Sequence, residues 1–225
     1  MRTFLQRAVV GVVIVAGLAG FSSRAAAVTV DSVGDSFTVN FGGNIKGVDV
    51  SGLSASALFE VTSISGNTLV MDITLTNTTS VLWESARVSA FGFNTNPEIV
   101  SASVDSTVFA NVNLGGQFPN GFGSVDLCVI NNRNNCTGGR KGGLTIGQST
   151  GITLSLTFQN PISAVDLDNF GVRYQSLTSS ALGFDGASGT GRPSNPIPEP
   201  RSTAMYLLGG LLVAGLIRKQ LVAAR

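Results

Sequence analysis

The sequence predicts an all-β domain, a single antiparallel β-sandwich of jelly-roll-like form, and three observations carry that expectation. Two long stretches alternate apolar and polar residues with the strand period of two, and turn-forming clusters of Gly, Asn, Ser and Pro interrupt the chain at short intervals. No interior stretch sustains a helical period. Strands with one apolar and one Thr-rich face bury themselves most simply against a second such sheet, which favours the sandwich.

The elements follow in order of clarity. Leu69, Met71, Ile73 and Leu75 alternate with Val70, Asp72, Thr74 and Thr76, and Ile152, Leu154, Leu156 and Phe158 alternate with Thr153, Ser155, Thr157 and Gln159. Phe37, Val39 and Phe41 form a third, shorter strand that ends at Gly42-Gly43-Asn44, and Val88, Ala90 and Gly92 lie in a fourth. Ser65-Gly66-Asn67, Asn94-Thr95-Asn96-Pro97 and Gly115-Gly116 read as turns between them. Phe-Gly pairs at Phe41, Phe91, Phe122 and Phe170 recur without a fixed period, so they mark bulges or strand ends rather than a repeat.

Both ends of the chain differ from this body. Arg2 and Arg7 precede an apolar run from Ala8 to Phe21, and Ala25-Ala26-Ala27 follows, the three parts of an export signal cut between Ala27 and Val28. Fourteen helical residues span only about 21 Å, against a hydrocarbon core of about 30 Å, so residues 1–27 read as a cleaved signal rather than an anchor. The export translocon is the partner that such a signal implies. At the other end, Gly186, Gly189, Gly191, Pro193 and Pro196 make 185–197 a flexible linker after a domain at 28–184. Pro198-Glu199-Pro200 comes next, then an apolar segment at 204–217 and a basic stop, Arg218-Lys219, which predicts a cytoplasmic C-terminus.

A Pro-Glu-Pro motif, a short span and a basic cluster, in that order across 198–225, resemble the PEP-CTERM sorting signal of Gram-negative bacteria. The resemblance implies recognition of Pro198, Glu199 and Pro200 by a membrane protease of the exosortase type, in bacteria that secrete exopolysaccharide. The body is similar to the cistern family of PEP-CTERM proteins. That likeness runs through Phe37-Thr38-Val39-Asn40-Phe41, Gly52-Leu53-Ser54-Ala55-Ser56-Ala57-Leu58-Phe59, Phe118-Pro119-Asn120-Gly121-Phe122-Gly123, the cysteine pair, and Asp168 to Gln175. It implies export and sorting and brings no activity with it.

Residues 28–192 hold seven Lys or Arg against twelve Asp or Glu, a net charge of −5, which argues against nucleic acid and anionic lipid as partners. Arg140-Lys141, inside Gly138 to Gly143, reads as a solvated loop. Cys128 and Cys136 are the only cysteines, and an even pair in an exported chain reads as a disulfide across a local Asn-rich loop. Zinc is disfavoured by the lack of any histidine and of C-x-x-C spacing.

The missing histidine also removes the base that Gly147-Gln148-Ser149-Thr150-Gly151 needs to act as a nucleophile elbow, and Ser149 reads as a turn residue. Asp166 and Asp168 share a strand face about 6.5 Å apart, a separation used by inverting glycosidases, but one strand rarely supplies both carboxylates around a sugar. The inward phase slips from Val165 and Leu167 to Phe170, Val172 and Tyr174, which predicts a β-bulge at Asp168-Asn169. Such a bulge would turn the oxygens of Asp166, Asp168 and Asn169 toward a hard cation such as calcium, with a plain structural bulge as the simpler reading. Trp83 and Tyr174 would stack on sugar rings from an exposed face, or else pack in the core. The sequence is therefore read as non-enzymatic: an exported structural or adhesive component of the envelope or matrix, associated with exopolysaccharide. A carbohydrate-binding module, with or without calcium, is the alternative, and no cofactor is otherwise expected.

Overall fold

The computed structural model describes residues 27–131, 135–139, 141–195 and 197, and every regular element among them is a strand. In chain order these are β1 (Val28–Val30), β2 (Ser36–Phe41), β3 (Asn44–Ile45), β4 (Val48–Asp49), β5 (Ala55–Ser65), β6 (Thr68–Thr76) and β7 (Ser85–Asn96). They continue as β8 (Ile99–Asp105), β9 (Asn111–Phe118), β10 (Gly123–Ile130), β11 (Leu144–Thr145), β12 (Ser149–Phe158), β13 (Val165–Ser179) and β14 (Phe184–Gly191). The export signal before Ala27, the Pro198-Glu199-Pro200 motif, the 204–217 segment and Arg218-Lys219 lie outside the described residues.

All strand pairings are antiparallel. A five-stranded sheet runs β2-β5-β6-β12-β8, and a nine-stranded sheet runs β4-β3-β14-β13-β7-β10-β9, with β1 on β13 and β11 on β7. The chain passes repeatedly between the two sheets, whose facing side chains merge into one hydrophobic cluster. The expected alternation holds: Leu69, Met71, Ile73 and Leu75 of β6 and Ile152, Leu154, Leu156 and Phe158 of β12 are buried. Between the layers, Phe37 and Phe59 of the five-stranded sheet meet Phe93 and Phe170 of the nine-stranded sheet in a group of rings with centroids 4.8 to 5.9 Å apart. Such contacts add to area burial and fix the two layers in register.

Three local expectations are corrected. Gly115-Gly116 is not a turn; it lies within β9, and Gly116 is needed because a Cβ there would stand 2.7 Å from Cys128 Cβ, against the disulfide. Asn94-Thr95-Asn96 is not a turn but the end of β7, paired with Asp166 to Asp168; Val88, Ala90 and Gly92 do share that strand, with Ser89 an extra residue between the pairs Val88↔Tyr174 and Ala90↔Arg173, so that Ala90 joins a cluster on the other face. The third correction concerns the linker expected at 185–197. Residues 184–191 are a strand paired with β13, and the chain stays tied beyond it: Ser194 N donates to Asn40 O at 2.8 Å and Gly42 N to Arg192 O at 3.0 Å. The glycines read as flexibility are close-approach positions instead, since a Cβ on Gly189 would lie 2.6 Å from Asn44 O and one on Gly191 2.8 Å from Val172. Ile197 is buried as well.

The nine-stranded sheet is covered on its outer face too. Phe118, Phe122, Val125, Ala90, Ile130 and the two cysteines form a second, smaller apolar cluster there. Gly92 and Gly171, paired in register across β7 and β13, leave a flat backbone on which Phe118 and Phe122 rest. The Phe-Gly pairs of the sequence are thus partly explained: the glycines give room to aromatic rings from another hairpin.

Candidate functional site

The bulge predicted at Asp168-Asn169 is present. β13 pairs Asp168 with Asn94 and Gly171 with Gly92, leaving one extra residue, and Asn169 takes φ +47°. Its side chain is spoken for: Asn169 Nδ2 donates to Ser124 O at 3.0 Å, and Arg192 Nη1 donates to Asn169 Oδ1 at 3.3 Å. Asp166 accepts from Thr29 Oγ1 at 2.6 Å and Asn96 Nδ2 at 3.4 Å. The bulge therefore places a guanidinium, rather than a free ring of oxygens, beside Asn169. Among the described residues no group of three or more His, Cys, Asp or Glu converges as metal ligands would.

Arg192 connects this bulge to a groove on the surface. Its guanidinium lies 4.0 Å over the Phe122 ring and donates from Nη2 to Phe122 O at 2.7 Å, a stacked and bonded position that fixes its plane. The groove, about 620 Å³, is lined by Asn44, Asp49, Asn120, Phe122, Thr190 and Arg192, with several backbone glycines. Asn44 Nδ2 donates to Asp49 Oδ1 at 2.8 Å, and Asn44 Oδ1 accepts from Gly47 N. Nδ2 of Asn120 is buried without a hydrogen-bond partner in a residue held at φ +60°. A planar cation, an acid, amides and a hydroxyl around a concave site match the hydrogen-bonding needs of a sugar. The sequence reading found Asn169 and missed Arg192, which it assigned to a spacer.

The remaining candidates serve the fold. Trp83 is buried, stacks on Phe184 with centroids 5.4 Å apart, and donates its indole N–H to Ser51 O at 3.0 Å. Tyr174 is fully buried, so neither aromatic offers an exposed stacking face, and desolvation raises the Tyr174 pKa well above its ordinary value. Ser149 opens β12 after a turn, with Oγ 2.9 Å from Thr76 Oγ1, which is not the strand-turn-helix of a nucleophile elbow. Cys128 and Cys136 are disulfide-bonded, with Cα atoms 6.0 Å apart. Val28 is the buried first residue of β1, immediately after Ala27.

No protein-family model matches the chain, and comparison with curated proteins finds no significant relative.

Proposed function

We propose that this chain is an exported structural or adhesive protein of the cell envelope or extracellular matrix, sorted by its C-terminal tail and associated with exopolysaccharide. The observation that carries the reading is the Cys128–Cys136 disulfide in a rigid all-β domain, because such bonds persist in oxidising compartments. The two chain ends, which resemble an export signal and a PEP-CTERM tail, agree with it. An exosortase-type protease acting at Pro198-Glu199-Pro200 is the partner this implies. We read the sandwich as jelly-roll-like because the chain passes so often between its layers. Replacing Glu199 by Ala in the host tests the sorting step. The variant should accumulate in the inner membrane while the parent reaches the surface or the medium, and an unchanged distribution would refute sorting through this motif.

A second reading, a carbohydrate-binding module, is favoured by the groove around Asn44, Asp49, Asn120 and Arg192. Direct titration of the full chain with the host's purified polysaccharide, with and without a calcium chelator, tests it. Saturable binding weakened by Arg192→Ala supports the module, loss on chelation adds calcium to it, and no saturable binding leaves the structural role alone.

A further inference from the structure

Two arginines are buried on the outer face of the nine-stranded sheet without a carboxylate partner. Arg87 is 8% exposed and Arg173 5% exposed. Arg87 donates to the carbonyls of Gly142 and Gly139 and, at 3.3 Å, to Gln175 Oε1. Arg173 donates from Nε to Thr137 O at 2.8 Å and from Nη1 to Gly189 O at 2.6 Å. These acceptors are all neutral. None of the twelve Asp or Glu in 28–192 makes an ion pair with either guanidinium, although Glu84 lies three residues from Arg87; its Oε1 accepts from Ser180 N instead. Burying a charge without a counter-charge is costly, and burial alone lowers both guanidinium pKa values, that of Arg173 to about 10. Both stay charged at neutral pH.

A groove of about 620 Å³ opens on Arg87. Its walls include Ser85, Thr137, Thr178 and Ser188, four hydroxyl side chains, and no acid lines it. Its floor is a second irregular stretch of β13, where register shifts against both β7 and β14 between Tyr174 and Thr178 and Ser176 is held at φ +54°. Non-glycine residues persist in that region when their surroundings impose it, and bulges with such residues recur at binding sites. Gly138, at φ +115°, lies so close to Gln175 that any side chain there would strike the amide. Gln175 Oε1 in turn accepts from Gly139 N at 2.7 Å. The Gly-rich loop, expected to be flexible and solvated, is held onto the two arginines at Thr137, Gly139 and Gly142.

We propose that this groove binds a carboxylate carried among hydroxyls, the chemistry of a uronic acid unit in an acidic polysaccharide, with Arg87 as its principal anchor. With its Nη2 hydrogens given to Gly139 O and Gln175 Oε1, Arg87 acts on a carboxylate chiefly through its uncompensated charge, and the surrounding hydroxyls match those of a sugar ring. The domain's net −5 charge does not forbid this, because repulsion beyond about 8 Å is screened at physiological salt. The site is separate from the Arg192 groove and does not depend on the sorting reading.

The test is titration of the full-length chain in detergent with galacturonate oligomers at about physiological salt, beside neutral glucose oligomers and inorganic sulfate. Saturable binding of the galacturonate oligomers alone is expected. Ser188→Glu, which places a carboxylate within the groove, should weaken it at least tenfold. Ser85→Glu, at an exposed position on the rim, should do the same without touching the packed loop. No saturable binding, equal binding of neutral oligomers, or binding unchanged by both variants would overturn the proposal and leave the arginines as clamps on the loop. Sulfate that displaces the oligomer at equal concentration would overturn the sugar assignment.

Discussion

The ring of Phe122 lies directly on the backbone of Gly171, so close that a Cβ at that glycine would fall inside the ring's van der Waals surface. This contact joins the β9–β10 hairpin to β13 and sets the Phe122 ring on which Arg192 stacks, and so builds one wall of the groove lined by both residues. Gly171→Ala adds no forbidden backbone conformation, so its effect is steric. It should destabilise the protein by about 1–3 kcal/mol, and by much less in a Phe122→Ala background. Urea melts of the four proteins in this cycle measure that coupling.

The disulfide between Cys128 and Cys136 rests on Gly116 of β9 and closes a short ring. In the chain-entropy account such a ring contributes about 2.6 kcal/mol. Cys128→Ser with Cys136→Ser should therefore lower the unfolding free energy obtained from urea melts by an amount of that order. The parent under reductant should match the double variant.

Tyr174 is buried with its hydroxyl unpartnered. Tyr174→Phe removes an unsatisfied polar atom and should stabilise the fold by about 1 kcal/mol at neutral pH. Because burial raises the folded pKa, the neutral phenol's contribution is fully present below about pH 10, the value in the unfolded chain, and is lost as pH rises toward the raised value. Above pH 10 the parent should lose stability relative to Tyr174→Phe by up to about 1.4 kcal/mol per pH unit. Melts between pH 8 and pH 11.5 show the divergence, and parallel curves would count against it.

The pairing of the chain end with β2 makes a further prediction. The amides of Ser194 and Gly42, bonded to Asn40 O and Arg192 O, should exchange at the slow rates of core strands. Exchange at free-peptide rates would restore the flexible spacer.

Alternation by twos was enough to place β6 and β12 and to orient their apolar faces, because a strand with one wet face writes its period into the sequence. The phase slip before Phe170 likewise located a real bulge. The outer cover was not legible in this way. β7 is buried on both faces from Ala86 to Phe93, so it shows no alternation, and the ring-bearing hairpin that covers it is distant in sequence. The glycines of β14 carry two meanings, freedom or close approach, and only the neighbouring carbonyls of Asn44 and Gly42 decide between them. Nothing in the sequence marks Arg87 and Arg173 as buried, because their burial comes from contacts with a loop distant in sequence.

The central claim is export followed by trimming at both ends. Intact mass of the protein recovered from membrane and culture fractions of its host tests it most directly. The account predicts a species that begins at Val28, ends near Pro200 and is lighter by the pair of hydrogens lost in the Cys128–Cys136 bond. A mature species that keeps Arg225 and stays in the inner membrane would contradict sorting and leave a simple anchored domain.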